Sequence, residues 1–247
     1  MIVYKYTNRL EVLETNSLRY TQPDQLNDPL ESHPDFRELI EDIKKRETAG
    51  LEAAVAAKIL DAIEKDAPKA IASEISRLNI GFLSLSLIPD NDLMWAHYAD
   101  SHKGFVLGFD GDHEFFKRND LRKITGLRQI KYSSTRVVPA NAGFVPADLA
   151  EPLFFTKSTS WSYEQEVRVM ADLANADIKP TARDGVYLFN FPPEALLEVI
   201  FGIHTPENVK QAVLKLTSTK YPRVQLLERQ FDVVSSAFRT VPYVAAP

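Results

Sequence analysis

Apolar and polar positions along the chain follow two periods, and the switch between them divides the sequence into three stretches. Near the start the period is two, so residues 3–6 and 18–20 read as short strands, with a turn or single helical turn over 9–15 between them. The dense Pro, Asn and Asp residues of 22–29 predict an ordered loop, because these residues bond their own backbone or fix φ. Over 34–79 the apolar residues take helical spacing: Phe36, Leu39, Ile40 and Ile43, then Leu51, Val55 and Ile59, then Ile71, Ile75 and Leu78. Gly50 and Pro68 break the pattern into three predicted helices. They form a layer over one sheet face or, read functionally, a lid or partner-binding insertion.

After residue 80 the period returns to two. Residues 81–87 read as a buried strand with Ser84 and Ser86 on one face. A short helix over 91–99 follows, then strands at 103–110 and 128–132, and another within 156–171. Strands are also expected at 197–202, 224–227 and 238–243. A helix opens at Thr205-Pro206-Glu207, with the Thr205 hydroxyl as N-cap. This order predicts an α+β fold: a mixed, mainly antiparallel sheet core, a helical insertion at about 34–79 and a single domain over 1–247.

Composition narrows the function classes. A chain of 247 residues, 45% hydrophobic and 26% charged, can build a sizeable core. The net charge of -5 argues against a broad nucleic-acid surface but leaves room for a local basic groove. With no cysteine there are neither disulfides nor thiolate metal sites, which fits a reducing compartment. No secretory signal and no membrane span are visible, so a cytoplasmic location without membrane attachment is expected.

Several catalytic frameworks are missing. Gly104, Gly108 and Gly111 do not form a dinucleotide-binding G-x-G-x-x-G, and there is no Walker A loop and no nucleophile elbow. The histidines lack H-E-x-x-H spacing, so no metal is assigned. A metal-dependent hydrolase around His97, His102 and nearby acids is a minor reading.

Chemistry concentrates in Trp161-Ser162-Tyr163-Glu164-Gln165-Glu166-Val167-Arg168. On one continuous strand Glu164, Glu166 and Arg168 share a face, opposite Tyr163, Val167 and Val169. Two carboxylates beside a cation suit a catalytic site. The pattern alone reads more simply as a solvent-exposed face with ion pairs. Lys157 to Ser160 and Trp161 add polar donors and a stacking ring. A second cluster, Met94-Trp95-Ala96-His97-Tyr98 followed by His102-Lys103-Gly104, lines a pocket or packs a core helix, and Gly104 allows close backbone approach.

These motifs carry a resemblance. Tyr4-Lys5-Tyr6, Pro23 with Asn27-Asp28-Pro29, Ser84-Leu85-Ser86, Met94-Trp95-Ala96-His97-Tyr98, His102-Lys103-Gly104, and Lys157 with Trp161-x-x-Glu164-x-Glu166-x-Arg168 resemble the signature of a large bacterial family of unknown function. More loosely, the order of elements is similar to ADP-ribosyltransferases, including DNA-modifying toxins. Here Tyr4-Lys5-Tyr6 stands for the first strand and 83–86 for the polar strand, without the His-Gly-Thr or Arg-Gly opening of that class. The second resemblance implies NAD as substrate, cleaved at its nicotinamide–ribose bond, with ADP-ribose passing to an unknown acceptor in a toxin or phage-defence effector. It implies Glu166 as the catalytic glutamate and Glu164 as the extra acid, with Trp161 or Tyr6 stacking on nicotinamide. Around them Tyr4, Tyr6, Asn27, Ser84, Ser86, Trp95, His97, Lys103, Trp161 and Arg168 are expected to converge on one cleft holding a small-molecule nucleotide. The alternative is a binding module without catalysis. It would hold a nucleotide or another anionic ligand on Trp95, His97, His102 and Lys103, leaving Glu164 and Glu166 as structural partners of Arg168 and Lys103.

Overall fold

The computed structural model describes residues 1–28, 31, 35, 37–117, 126–135, 153–181 and 185–245. Pro29, at the end of the predicted loop, and positions 34 and 36 of the helical stretch lie outside the described residues. The fold is α+β, built on a mixed, mainly antiparallel eight-stranded sheet. Its order is β12 (Ala237–Pro242), β11 (Gln225–Asp232), β10 (Leu196–Phe201), β4 (Phe105–Asp110), β1 (Ile2–Thr7), β3 (Ile80–Ser86), β8 (Glu166–Asp172) and β5 (Arg128–Gln129). β10 and β11 run parallel, and the other neighbours are antiparallel. Strands β2 (Ser17–Tyr20) and β9 (Tyr187–Asn190) form a separate antiparallel pair, and β6 (Lys131–Ser133) and β7 (Thr156–Ser158) a parallel one.

The period-two pattern decides what each sheet face buries. Val3, Leu83, Leu85, Phe105, Leu107, Phe109, Val167, Val169, Val199 and Phe201 form one large cluster. Helices α1 (Glu11–Thr15) and α5 (Glu207–Lys220) contribute Leu13 and Val213 to it. The opposite face carries two smaller clusters. One joins Ile80, Phe82 and Met170 to Phe154 and Phe155; the other joins Tyr6, Val106 and Ile200 to Met94 and Trp95 of α4 (Asp92–Tyr98). Ser84, Ser86, Glu166 and Arg168 belong to neither cluster.

β1 and β4 pair along their full lengths, from Ile2↔Asp110 to Thr7↔Phe105. β1 and β3 instead meet at the single register pair Tyr4↔Ser86 among the described residues. Beyond it the two strands part, and β3 is bridged at Phe82 by Thr21, with both backbone bonds at 2.8 Å. The cavity described below opens along this parting.

Several elements depart from the sequence reading. The helical stretch holds two helices, α2 (Arg37–Glu47) and α3 (Ala53–Arg77), not three. α3 continues through position 68, because a proline inside a long helix forfeits one backbone bond without ending the helix by necessity. Residues 53–66 are mostly exposed and pair with α2, where Lys44 bonds Glu64 at 2.6 Å; they do not form a layer on the sheet. The strand expected at 128–132 is split between β5 and β6, each with a different partner. The N-cap of α5 is Pro206 without a side-chain bond, since the Thr205 hydroxyl donates instead to the Gly104 carbonyl at 2.7 Å. The close approach expected at Gly104 is present: a Cβ there would lie 2.3 Å from the Thr7 carbonyl oxygen.

Candidate functional site

The predicted strand within 156–171 resolves into three pieces, and this rearrangement makes the site. β7 ends at Ser158, whose hydroxyl caps a 3-10 helix spanning Thr159–Glu164 by accepting from the Ser160 amide. Gln165 then takes a left-handed backbone (φ 42°) that turns the chain into β8. Glu164 therefore sits on a helix end and not on the strand with Glu166, as the period of two had suggested. The Ser86 hydroxyl fixes that end by donating to the Glu164 carbonyl at 2.7 Å. β8 keeps its alternation, with Val167 and Val169 in the large cluster and Glu166 and Arg168 on the other side.

That other side is not an exposed face. Glu164, Glu166 and Arg168 are 4%, 3% and 0% exposed, because β5, the 153–155 segment and the 3-10 helix cover them. A buried charge demands partners, and each has them. Arg168 donates from Nε and Nη2 to Glu166 Oε1 at 2.9 and 2.7 Å, from Nη1 to the Phe154 carbonyl at 2.7 Å, and from Nη2 to Glu31 Oε1. Lys157 Nζ bonds Glu164 Oε2 at 2.6 Å and Glu166 Oε2 at 3.2 Å, and lies 3.7 Å from Glu31 Oε2. The Tyr98 hydroxyl donates to Glu164 Oε1 at 2.5 Å, a charge-assisted length. Burial by itself would raise the Glu166 carboxyl, but Arg168 and Lys157 hold it down at about 2. Burial opposes the charge on Lys157 as well, yet Glu166, Glu31 and Glu164 together raise it above the ordinary lysine range.

The two carboxylates differ in what remains open to a ligand. Both Glu166 oxygens are occupied, Oε1 by two Arg168 donors and Oε2 by Lys157, with the Ser84 hydroxyl as a further partner. A carboxylate has roughly four acceptor positions, so Glu166 has none left. Glu164 takes one donor on each oxygen and retains capacity.

In front of this network lies a cavity of about 410 Å³, inside the usual range for small-molecule sites. Of the residues expected from sequence, Tyr4, Tyr6, Asn27, Ser84, Ser86, Glu164, Glu166 and Arg168 line it. Its walls also hold Lys5, Arg9, Arg19, Glu31, Tyr98 and Lys157. In ordinary protonation states five cationic side chains face three carboxylates, so the cavity is positive inside a chain of net charge -5. Burial, aided by Arg19 and Arg168 and opposed by Glu166, brings the Lys5 amine down to about 8.

Four expected residues are placed elsewhere. Trp95 is fully buried, with its indole N–H donating to the Pro89 carbonyl at 2.8 Å and its ring packed against Tyr6, His102 and Arg229. It is a core residue because both of its faces are occupied. His97 is exposed and hydrogen-bonded to the Tyr163 hydroxyl at 3.1 Å, and Lys103 is exposed outside the cavity. Trp161 lies behind the network, its ring 4.8 Å from Lys157 Nζ. Trp95, His97, His102 and Lys103 do not line this cavity, and Lys157, not Lys103, pairs with Glu164 and Glu166. Among the described residues no group of His, Asp and Glu is arranged to hold a metal ion. No helix among them is long and apolar enough to cross a membrane.

Residues 94–169, just under a third of the chain, match the family described as a protein of unknown function, DUF2971. The matching segment spans α4, β4, β7 and the start of β8, and includes Tyr98, Lys157, Glu164, Glu166 and Arg168. Lys5, Arg9, Arg19, Glu31 and Ser84 lie outside it. No curated protein and no solved structure matches the chain.

Proposed function

We propose that the chain binds a nucleotide in the cavity between β1 and β3. The observation that carries this reading is the cavity's lining, which joins cationic side chains that form no ion pair among the described residues to a carboxylate with spare acceptor capacity. Sugar hydroxyls donate well to a carboxylate, and phosphates accept from guanidinium groups. The test is calorimetric titration with NAD, ADP-ribose and ATP. Saturable binding that Glu164→Gln weakens supports the reading. Absence of binding by all three rejects it.

The second reading is that the nucleotide is NAD and that its nicotinamide–ribose bond breaks at this site, as in ADP-ribosyltransferases. Glu164 favours it: its free acceptor positions and its bonds to Lys157 and Tyr98 leave a held carboxylate facing the cavity. Positive charge builds on the sugar as nicotinamide departs, and a fixed carboxylate stabilises that transition state more than the ground state. In this reading Glu164, not Glu166, bonds the ribose, and Glu166 is a positioning residue that fixes Lys157. Incubation with labelled NAD reads nicotinamide release directly. Release that persists in Glu164→Gln at the parent rate removes Glu164 from the chemistry.

A further inference from the structure

Three cationic side chains of the cavity wall form no ion pair among the described residues. Lys5 comes from β1, Arg9 from the turn after it and Arg19 from β2, and all three line the cavity. Lys5 Nζ donates to the Ser84 carbonyl at 2.9 Å and makes no ion pair among the described residues, although three carboxylates line the same cavity. An ammonium has three donors, so two remain. Arg19 is held by Gln25, and burial and the charge of Arg9 both lower its pKa. Neither arginine meets a carboxylate among the described residues. Lys157 and Arg168 offset two of the three negative charges of Glu31, Glu164 and Glu166, so the network keeps one surplus negative charge against the three cations of this wall.

Three like charges against a single surplus negative charge still repel, and the arrangement is relieved when a ligand brings more of the opposite charge. We propose that Lys5, Arg9 and Arg19 form the subsite for a phosphate or diphosphate group. The ligand then enters with its anionic part on β1 and β2 and its uncharged polar part toward Glu164. The inference rests on the nucleotide reading for the rest of the ligand, but the subsite itself is defined by these three side chains. Arg168 and Lys157 take no part, because their donors are engaged within the network.

The groups facing Lys5 are the Ser84 carbonyl, Glu164, Glu166, Arg19 and Arg168. A bound anion favours the ammonium, so binding draws a proton onto Lys5 where the free amine is partly neutral, around its pKa of about 8. The share of the affinity that Lys5 supplies is present below that pH and declines as pH rises through it, while Arg9 and Arg19 keep their charge.

The probe is inorganic pyrophosphate, titrated calorimetrically into the full chain in two buffers of different ionisation enthalpy. Saturable binding is expected, weakened roughly tenfold or more by Arg9→Gln or Arg19→Gln, in line with a lost charged hydrogen bond. Proton uptake near pH 8 is expected in the parent and absent in Lys5→Gln. Arg9 and Arg19 are exposed, so their variants keep the fold and a thermal melt verifies it. No pyrophosphate binding, or binding unchanged in the arginine double variant, overturns the subsite. Two further outcomes separate it from the wider reading. Pyrophosphate that binds through these residues without displacement by NAD, ADP-ribose or ATP keeps the subsite and removes the nucleotide. Nucleotide binding of parent affinity in the double variant does the reverse.

Discussion

Arg168 on β8 and Arg229 on β11 are both buried, at 0% and 4% exposure, yet they are held in opposite ways. Arg168 is surrounded by carboxylates and has Phe82 under its guanidinium at 5.1 Å. Arg229 lies between two rings, Trp95 at 5.4 Å and Phe238 at 4.4 Å. It bonds one carboxylate, Asp92 at 2.7 Å, and its Nε and Nη1 have no partner. The first arrangement fixes charge and geometry at the back of a cavity. The second clamps the β11–β12 hairpin onto α4 by cation–π stacking and one ion pair to an exposed carboxylate. Burial of an arginine is thus no guide to a site. What matters is whether the opposite charges around it leave a ligand something to bind.

The sharpest test is to remove each arginine. Arg168→Met strands Glu31 and Glu166 in the interior, and a loss of about 3–5 kcal/mol is expected, read by chemical denaturation. Glu166→Gln keeps the shape but removes a charge from Arg168 and Lys157, and about 2–3 kcal/mol is expected from the same measurement. Arg229→Met is expected to cost only about 1–2 kcal/mol. The cation–π contacts go, but so do two unpartnered donors, and Asp92 is 63% exposed and solvated. Equal losses for the two arginines would end the contrast. His97→Ala, at an exposed position outside the cavity, should change stability by less than about 0.5 kcal/mol.

Acid separates the two regions in another way. Burial lowers the His102 ring pKa, and the neighbouring Arg229 lowers it further, so the stability it carries is present above about pH 6.5 and declines below it. Glu166 has its folded value depressed to about 2 from 4.5, so its contribution is present above about 4.5 and lost as pH falls toward 2. A fluorescence titration of the two tryptophans, with Trp95→Phe to isolate Trp161, should show the environment of Trp95 responding first.

Much of the frame was legible in the pattern of the sequence. The alternation in 81–87 and 166–171 was enough to place Ser84, Glu166 and Arg168 on one side and Leu83, Val167 and Val169 on the other. That this side is buried was not legible, because alternation gives a face and not its cover. Glu164 was set on the wrong element, since nothing in the apolar pattern marks the left-handed turn at Gln165. Glu31 escaped notice because an acid in a polar loop looks solvated until Arg168 is known to lie beside it. Lys157 did carry a signal, standing in the motif quoted with Trp161 and Glu164. Trp95 and His97 looked like pocket residues because adjacent aromatics suit a site and a core helix equally well.

The parting of β1 from β3 leaves one sheet bond to be made by a side chain. Where a neighbouring strand would supply a backbone N–H, the Ser84 carbonyl is served by the Lys5 ammonium. A main-chain bond cannot titrate or turn toward an anion, whereas this one can do both. An anion in the proposed subsite would share the Lys5 ammonium with the sheet, since two of its three donors remain. β1 and β3 are thus joined by the backbone pairing at Tyr4↔Ser86 and, beyond it, by a side chain that reaches across to the Ser84 carbonyl.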